Sequence, residues 1–166
     1  MLNVAEINAL ERHEFTNTFA PIFEHSPWIA ARTAAKRPFK NRAEFFGALC
    51  DTVMKASHDE KLCLIRAHPD LVGNAVLTSE SQREQATAGL GQLSAAERKQ
   101  FQDYNAAYQK HFGFPFVICA RLNKKEAILE AFPVRLRNSR EKEMETALGE
   151  IFKIADLRLK DIVEEP

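Results

Sequence analysis

The chain contains 23 alanines and only 7 valines, a balance that favours helices over strands. Alanine loses no side-chain entropy in a helix, whereas valine is suited to the pleated surface of a strand. No segment of five or more residues alternates cleanly between apolar and polar residues, and no Asn-Gly or Asp-Gly pair marks a hairpin. We therefore predict an all-α fold of about seven to nine helices.

The length and charge balance of the chain limit its domain number and its partners. With 166 residues it fits a single compact domain, and we expect residues 1–166 to form one. The 23 basic residues equal the 23 acidic ones, so no net charge attracts the chain to nucleic acid or to an anionic membrane. No apolar run approaches the roughly 18 residues of a membrane-spanning helix. We therefore expect neither a nucleic-acid nor a membrane partner.

Three cysteines, an odd number at scattered positions, indicate the redox environment of the chain. Cys50, Cys63 and Cys119 stand in apolar contexts, and we expect three buried free thiols in a reducing compartment. The N-terminal segment contains Glu6 and Glu11, which is not typical of a secretory signal, and the C-terminal VEEP is not a peroxisomal address. Together these features predict a cytoplasmic protein.

Capping residues predict where several helices begin and end. Helix starts are expected at Ser26-Pro27, Asn41, Ser94, Asn123 and Ser139. Ser94 opens a capping box, and Gly113 ends the helix that it begins. Pro133 is expected to kink the helix from Asn123 or to end it early. Residues 67–78 are predicted to form a loop, and residues 112–119 a buried connector between helices.

The terminal helix carries an arginine on its apolar face. At about 100° per residue, one stripe of this helix contains Met144, Leu148, Ile151, Ala155 and Ile162. Arg158 falls within that stripe, and a guanidinium on a core face requires an anionic or carbonyl partner. Two interpretations stay open: a structural role, as an ion pair or a side chain that reaches the surface, and a role in binding a ligand.

The HPDL segment places a histidine directly behind an apolar helix. Pro69 prevents the preceding helix from continuing through His68, so His68 lies on a loop that a rigid element positions. Histidine titrates near neutral pH and is suited to proton transfer. The alternative is an ordinary loop histidine that bonds to the last carbonyls of the helix.

Residues 80–90 form a segment with several polar groups on one helical face. Ser81, Glu84, Gln85 and Ala88 share this face by their spacing. It therefore combines a hydroxyl, a carboxylate and a carboxamide, which is a set suited to catalysis or binding. The alternative is structural, because Ser81 and Glu84 also have the spacing of a capping box at a solvated helix start.

The histidines and cysteines give no metal-binding pattern. The five histidines lack the HExxH spacing, and no two cysteines stand two to four residues apart. The sequence also lacks a phosphate-binding glycine loop and a GxSxG nucleophile motif. We therefore expect neither a metal nor an organic cofactor.

Four segments, taken in order, resemble a known family. They are HPDL at 68–71, ESQREQATAGL at 80–90, NAAYQKHFGFPFVICARL at 105–122 and LRLKDIV at 157–163. In this order they resemble the OHCU decarboxylase family, in which OHCU is 2-oxo-4-hydroxy-4-carboxy-5-ureidoimidazoline. The resemblance extends over nearly the whole chain, and its most specific part is FGFPFVICARL behind an upstream HPDL. The stretch between Leu71 and Ser79 looks shorter than in some relatives.

The resemblance implies an all-helical, commonly homodimeric enzyme that acts on the small molecule OHCU without a cofactor. Family members catalyse the last step from urate to (S)-allantoin, in which OHCU loses carbon dioxide. By position, His68 corresponds to the catalytic proton donor and Glu84 to a second catalytic group. The substrate-binding positions correspond to Pro69, Ser81, Gln82, Arg83, Glu84, Gln85, Phe116, Val117, Ile118, Cys119, Ala120 and Arg158.

Two other functions stay open from the sequence. The neutral charge, the amphipathic helices and the structural alternative for each single motif are compatible with a non-catalytic helical binding module. A hydrolase of the preceding urate-oxidation intermediate is a further possibility, although hydrolysis requires a positioned water and a base. The occurrence of all four segments in order favours the decarboxylase.

Overall fold

The computed structural model describes residues 1–165, and within this range the chain forms nine α-helices and three short 3₁₀ helices. The α-helices are α1 (Val4–Ala9), α2 (Arg12–Phe19), α3 (Pro27–Thr33), α4 (Arg42–Met54), α5 (His58–Arg66), α6 (Ser79–Thr87), α7 (Ala95–Phe112), α8 (Lys125–Leu136) and α9 (Arg140–Ile162). The 3₁₀ helices are Ala20–Ile22, Ala34–Lys36 and Ala120–Leu122. The only β pairing in the described range is an isolated bridge between Leu2 and Val163. The predicted all-α fold is therefore confirmed.

The chain divides into two compact units, and each has its own core. Unit 1 consists of residues 1–64 together with the described residues from 152 onward. Unit 2 is Ile65–Ile151. The divisions fall inside α5 and α9 rather than in a loop. The expectation that residues 1–166 form one domain stays a prediction.

The core of unit 1 is built around phenylalanine rings. Phe15 and Phe19 on α2 are fully buried, and their ring centroids lie 4.8 Å apart. The ring of Phe39 stacks on that of Phe45 at the same distance. The Asn8 side chain fixes the loop at Phe39, since its Nδ2 donates to the Phe39 carbonyl (2.8 Å) and its Oδ1 accepts from the Phe39 N–H (2.9 Å).

The two ends of the described chain are hydrogen-bonded to each other in unit 1. The Leu2 N–H donates to the Ile162 carbonyl (2.8 Å), and the Glu164 N–H donates to the Leu2 carbonyl (2.9 Å). These bonds form the parallel bridge that joins the start of the chain to the end of α9. Each end is thus held by the other.

The core of unit 2 combines stacked rings with a buried ion pair. The Phe116 ring stacks on Phe132 with centroids 3.9 Å apart, and the Arg135 guanidinium lies 4.1 Å from the Phe116 centroid. Arg135 Nε donates to the buried Glu143 carboxylate (2.7 Å), which also accepts from the Tyr108 hydroxyl (2.5 Å). A buried charge requires such partners, because removal from water is costly.

Most of the predicted helix boundaries are confirmed. Asn41, Ser94 and Ser139 each accept a hydrogen bond from the main-chain N–H three residues later, at 2.8, 3.1 and 3.1 Å. Gly113 follows the last residue of α7 with φ of 80°, a left-handed conformation that favours glycine. Residues 113–119 form the predicted connector, and most of them are buried.

At two predicted helix starts the expected capping bond is absent because the side chain bonds elsewhere. The start at Ser26-Pro27 is confirmed, since α3 begins at Pro27 with Ser26 before it, but the Ser26 hydroxyl donates to the Glu24 carbonyl (2.8 Å) instead of capping the helix. Lys124, not Asn123, is the residue before α8, and Asn123 Nδ2 donates to the Cys119 carbonyl (2.9 Å). Both side chains therefore stabilise the preceding loop instead of the helix.

Pro133 was predicted either to kink its helix or to end it early, and the early end does not occur. The helix continues through Pro133 to Leu136. Proline removes one main-chain hydrogen bond. The buried side chains of Phe132 and Arg135, on either side of Pro133, anchor this part of the helix in the unit 2 core.

The cysteines differ from the expectation of three buried thiols. All three are free, but Cys63 is exposed and Cys50 is half-buried, so only Cys119 is buried. Cys63 lies on α5 away from the buried Leu64 and Ile65. Among residues 1–165, no helix combines the length and the apolar character that a bilayer crossing requires.

Candidate active site

His68 lies where the chain leaves α5, as the HPDL motif predicts. The helix ends at Arg66, and the His68 N–H still donates to the Ile65 carbonyl (3.2 Å). His68 is 8% exposed, so the loop holds a histidine that is largely withdrawn from solvent. Pro69 is half-buried beside it. A histidine held in this way is suited to proton transfer.

The turn after His68 has an unusual backbone. The Gly73 N–H donates to the Asp70 carbonyl (3.2 Å) and closes the turn. Val72 has φ of 59°, in the left-handed region, which is strained for a β-branched residue. A Cβ on Gly73 would lie 3.1 Å from both Cβ and the carbonyl oxygen of Asp70, so a larger residue at this position would push against the Asp70 main chain.

Helix α6 supplies the polar face that the sequence predicts. Thr78 caps the helix from the position before Ser79, because its hydroxyl accepts from the Ser81 N–H (3.2 Å). The capping-box alternative for Ser81 and Glu84 is therefore wrong, and both residues lie inside α6. Within the predicted set, the buried or half-buried members are Ser81, Glu84 and Gln85, and the exposed members are Gln82 and Arg83.

Helix α6 connects the other two predicted segments of unit 2. On one side, Gln85 Oε1 accepts from the Val72 N–H (3.4 Å) in the turn after His68. On the other side, α6 packs against the 3₁₀ helix Ala120–Leu122, and the Ala88 carbonyl accepts from the Lys125 N–H (3.2 Å). The turn after the HPDL motif, α6 and the 3₁₀ helix that begins at Ala120 therefore meet within one unit.

The segment 116–120 is fully buried, and protein side chains hold its main chain. Arg135 Nη1 donates to the Val117 carbonyl (2.6 Å), and the Cys119 N–H donates to Glu150 Oε1 (3.2 Å). Burial raises the pKa of the Cys119 thiol, and the nearby carboxylates of Glu150 and Glu84 raise it further. Cys119 is thus a neutral thiol close to the predicted catalytic carboxylate, and the residues 116–120 have a fixed conformation.

Arg158 is buried in unit 1 and is paired there. Its Nη2 donates to Glu24 Oε1 (2.8 Å) and its Nη1 to the Pro21 carbonyl (3.0 Å). The side chains of Arg158 and Glu24 are 5% and 1% exposed. The predicted burial and anionic partner of Arg158 are thus present. Its association with the site residues of unit 2 stays a prediction.

The sequence interpretation missed the side chains that hold these segments. Asn105 Nδ2 donates to the Leu71 carbonyl (2.7 Å), and Arg135, Glu150 and Glu24 make the contacts described above. For the buried carboxylates of α9, the residue spacing of the sequence did contain a signal. Glu143, Ala147, Glu150 and Ile154 recur every three or four residues beside the predicted stripe, and all are buried. The buried face of α9 is therefore wider than the stripe, and its carboxylates are partners for other elements.

No group of three or more His, Cys, Asp or Glu side chains suited to a metal ion occurs in the described range, residues 1–165. The site of unit 2 instead combines an imidazole, a carboxylate, a hydroxyl and carboxamides with fixed main-chain groups. Such a set can position a small polar molecule and transfer a proton to it.

Comparisons with known proteins agree with the family that the four sequence segments resemble. A family model described as OHCU decarboxylase matches residues 8–160. The 2-oxo-4-hydroxy-4-carboxy-5-ureidoimidazoline decarboxylase of Halalkalicoccus jeotgali is 39% identical over 161 residues, which cover 97% of this chain and 92% of that protein. The crystal structure of an OHCU decarboxylase in the presence of (S)-allantoin matches 88% of this chain and 96% of its own, with a TM-score of 0.74 and 25% identity.

A second solved structure is similar over nearly the full length of the chain. The crystal structure of an (S)-allantoin synthase matches 99% of this chain with a TM-score of 0.80 and 28% identity. This chain spans 54% of that longer one. The similarity therefore extends through all four motif segments.

Proposed function

The chain belongs to the OHCU decarboxylase family, and from this premise we propose that it removes carbon dioxide from OHCU to give (S)-allantoin, the last step of urate degradation. One observation carries the proposal beyond family membership. The turn that follows the HPDL motif and the 3₁₀ helix Ala120–Leu122 both contact α6, the helix that bears Glu84 and Gln85. These contacts support a shared site in unit 2 that includes the buried His68.

The chemistry of OHCU explains why these groups suffice. Its carboxylate is attached to a ring carbon next to a C=N bond. When the bond to the carboxylate breaks, the electron pair moves into the ring toward the C=N nitrogen, and carbon dioxide leaves. A proton delivered to one face of the enol-like intermediate then forms the stereocentre of (S)-allantoin. Because the ring itself accepts the electron pair, we expect no cofactor and no metal.

In this proposal, His68 is the proton donor and Glu84 orients it. An imidazole that titrates near neutral pH can release a proton to the intermediate and take it back from water. A carboxylate can fix the tautomer of a histidine and stabilise its protonated form. The burial of His68 and the half-burial of Glu84 support these roles, because electrostatic interactions are stronger away from water.

The proposed binding groups hold the ring and its ureido substituent. The fixed main chain of residues 116–120 presents peptide N–H and C=O groups to the substrate, while Pro69, Ser81 and Gln85 complete the pocket. Arg158 offers a planar fork of N–H donors to a ring or ureido oxygen. A strong grip on the leaving carboxylate would slow the reaction, because only interactions that are stronger in the transition state accelerate it.

The setting of the enzyme completes the proposal. We place it in the cytoplasm, which the three free thiols support, since reducing compartments keep cysteines unpaired. We also propose that it acts as a homodimer, in line with the family resemblance. The single partner required for the reaction is OHCU itself.

Replacement of the proposed proton donor tests the function. We expect His68→Asn to lower the rate of (S)-allantoin formation by about 100-fold or more, the loss typical of a missing general acid. The rate and the product's handedness are followed by circular dichroism after OHCU is generated from urate, because uncatalysed decay gives racemic allantoin. The exposed His111, on α7 of the same unit, offers a matched control, and His111→Asn should keep the full rate.

Two results would contradict the proposal. An unchanged rate and handedness in His68→Asn would remove His68 from the mechanism. If the wild-type protein consumed only the preceding urate-oxidation intermediate and left OHCU to decay at the uncatalysed rate, the chain would be a hydrolase. Supplying each intermediate separately distinguishes these steps.

A further inference from the structure

The turn behind His68 adopts a conformation that its own sequence disfavours. Val72 has φ of 59°, and a β-branched side chain rarely occupies the left-handed region. Among residues 1–165, the other non-glycine residue with positive φ is His25, at 44°, and histidine tolerates this region better than valine. Strain of this kind persists only where surrounding contacts impose it.

Two amide side chains supply such contacts from neighbouring helices. Asn105 on α7 donates through Nδ2 to the Leu71 carbonyl (2.7 Å), and Gln85 on α6 accepts through Oε1 from the Val72 N–H (3.4 Å). They thus hold the two sides of one peptide unit, the one between Leu71 and Val72. A peptide plane held at both its carbonyl and its N–H resists rotation, and this restricts φ of Val72 to the observed region.

The burial of Asn105 indicates that this position is not optimised for stability alone. The residue is 7% exposed, and its Oδ1 has no hydrogen-bond partner among residues 1–165. An unsatisfied buried carbonyl is costly, and an apolar side chain of similar size would avoid that cost. The hydrogen bond to Leu71 is therefore the contact that accounts for an amide at this position.

We propose that Asn105 is a positioning residue for His68, which acts by holding the strained peptide between Leu71 and Val72. This inference rests on the proposed role of His68 as the proton donor. Leu71 is three residues from His68, and the chain between them contains Pro69, whose ring restricts rotation. A change at the Leu71 peptide is therefore transmitted along a stiff segment to the imidazole. Gln85 assists from α6, and its amide N–H groups stay available to substrate.

A double-mutant cycle between Asn105 and Val72 tests the inference. Asn105→Ala is expected to lower kcat by about 10- to 100-fold, the effect of a misplaced catalytic group, with little change in KM. The optical purity of the allantoin should fall as well, because solvent then protonates part of the intermediate. In a Val72→Gly background the same change should lower kcat by less than about threefold, since glycine adopts positive φ without a clamp.

A general loss of stability would give a different pattern. If Asn105 only stabilises the fold, Asn105→Ala lowers the melting temperature but leaves kcat per folded molecule and optical purity unchanged, and its effect is the same in both Val72 backgrounds. The inference is overturned if kcat and optical purity stay unchanged, or if Asn105→Ala has the same effect in both Val72 backgrounds. Should Asn105→Ala not fold, Asn105→Leu, which has a similar size and lacks the Nδ2 donor, takes its place in the cycle.

A matched control exists in unit 1. Asn8 holds the main chain at Phe39 through two hydrogen bonds of the same kind. Asn8→Ala should lower the melting temperature and leave kcat unchanged in both Val72 backgrounds. His68→Asn separates this inference from the proposed function. A severe loss in His68→Asn without coupling between Asn105 and Val72 overturns only the clamp, whereas full activity in His68→Asn overturns the role of His68 as proton donor.

Discussion

At the scale of single residues, the buried ion pair of Arg158 and Glu24 is compatible with both interpretations of Arg158, a structural role and a role in binding a ligand. A structural ion pair is present, with 2.8 Å between Arg158 Nη2 and Glu24 Oε1. A carboxylate on one side of a guanidinium also fixes the direction of the whole planar group. A ligand-binding arginine requires such fixation, so the ion pair is compatible with the proposed contact to substrate.

A conservative change at Arg158 distinguishes a binding role from a purely structural one. Arg158→Lys keeps the charge but loses the planar fork, and we expect KM for OHCU to rise by about tenfold or more, equivalent to about 1.4 kcal/mol of binding. Steady-state kinetics with freshly generated OHCU measures this change. Arg12→Lys, at an exposed position of the same unit, is the control and should leave KM unaltered. Equal kinetics for both variants would show that Arg158 serves only the fold.

The residues to which we assign chemical roles stand out in the sequence, whereas the residues that hold the neighbouring main chain do not. His68, Glu84 and Arg158 stand in short motifs whose chemistry is visible locally. Asn105 and Glu150 act on main-chain groups 34 and 31 positions away in the chain. Pairing over such a separation depends on how helices pack, and a local pattern of one sequence carries no information about it.

At the scale of secondary-structure elements, helix ends were predicted best where the signal lies within a few residues. The capping box at Ser94 and the glycine at position 113 define α7 by contacts inside one turn. The predictions failed where a side chain makes a hydrogen bond other than the one that its local spacing suggests. Ser26 and Asn123 bond to carbonyls of the preceding loop, and Thr78 rather than Ser81 caps α6, which begins at Ser79.

Two glycine substitutions in unit 2 should change stability in opposite directions. Gly113→Ala is expected to lower the free energy of unfolding by about 1 kcal/mol, because φ of 80° disfavours a Cβ even though the nearest atom, Arg66 Nη2, is 4.0 Å away. Gly149→Ala lies inside α9 with nothing within 4 Å of the added Cβ. It should raise that free energy by about 0.5–1 kcal/mol through helix propensity. Urea denaturation measures both, and a loss in both variants would contradict this assignment.

At the scale of the whole molecule, the helical class followed from composition, while the division into two units did not. Alanine-rich segments without alternation predict helices, and nine are present in residues 1–165. The division falls at Leu64–Ile65 and at Ile151–Phe152, inside two continuous helices. No change in composition marks these points, because a helix that contributes to two cores keeps one periodicity throughout.

Unfolding measurements test whether the two units act as one cooperative domain. We expect a single transition, because α5 and α9 each provide buried side chains to both units and cannot lose one half without fraying the other. Trp28, the one tryptophan of the sequence, lies in unit 1, so its fluorescence reports that unit, whereas far-UV circular dichroism reports all helices. The two midpoints in urea should coincide. Two separate midpoints would show that the units unfold independently and would contradict this prediction.

The hydrogen bonds between Leu2 and the residues that close α9 have a consequence for protein engineering. Because of these bonds, the main chain at Leu2 and the main chain at Glu164 lie next to each other on unit 1. A short tether between these positions could turn the chain into a circle without stretching the backbone. New termini could then be opened in an exposed loop far from His68. A second enzyme of the same reaction sequence could be fused at these new termini.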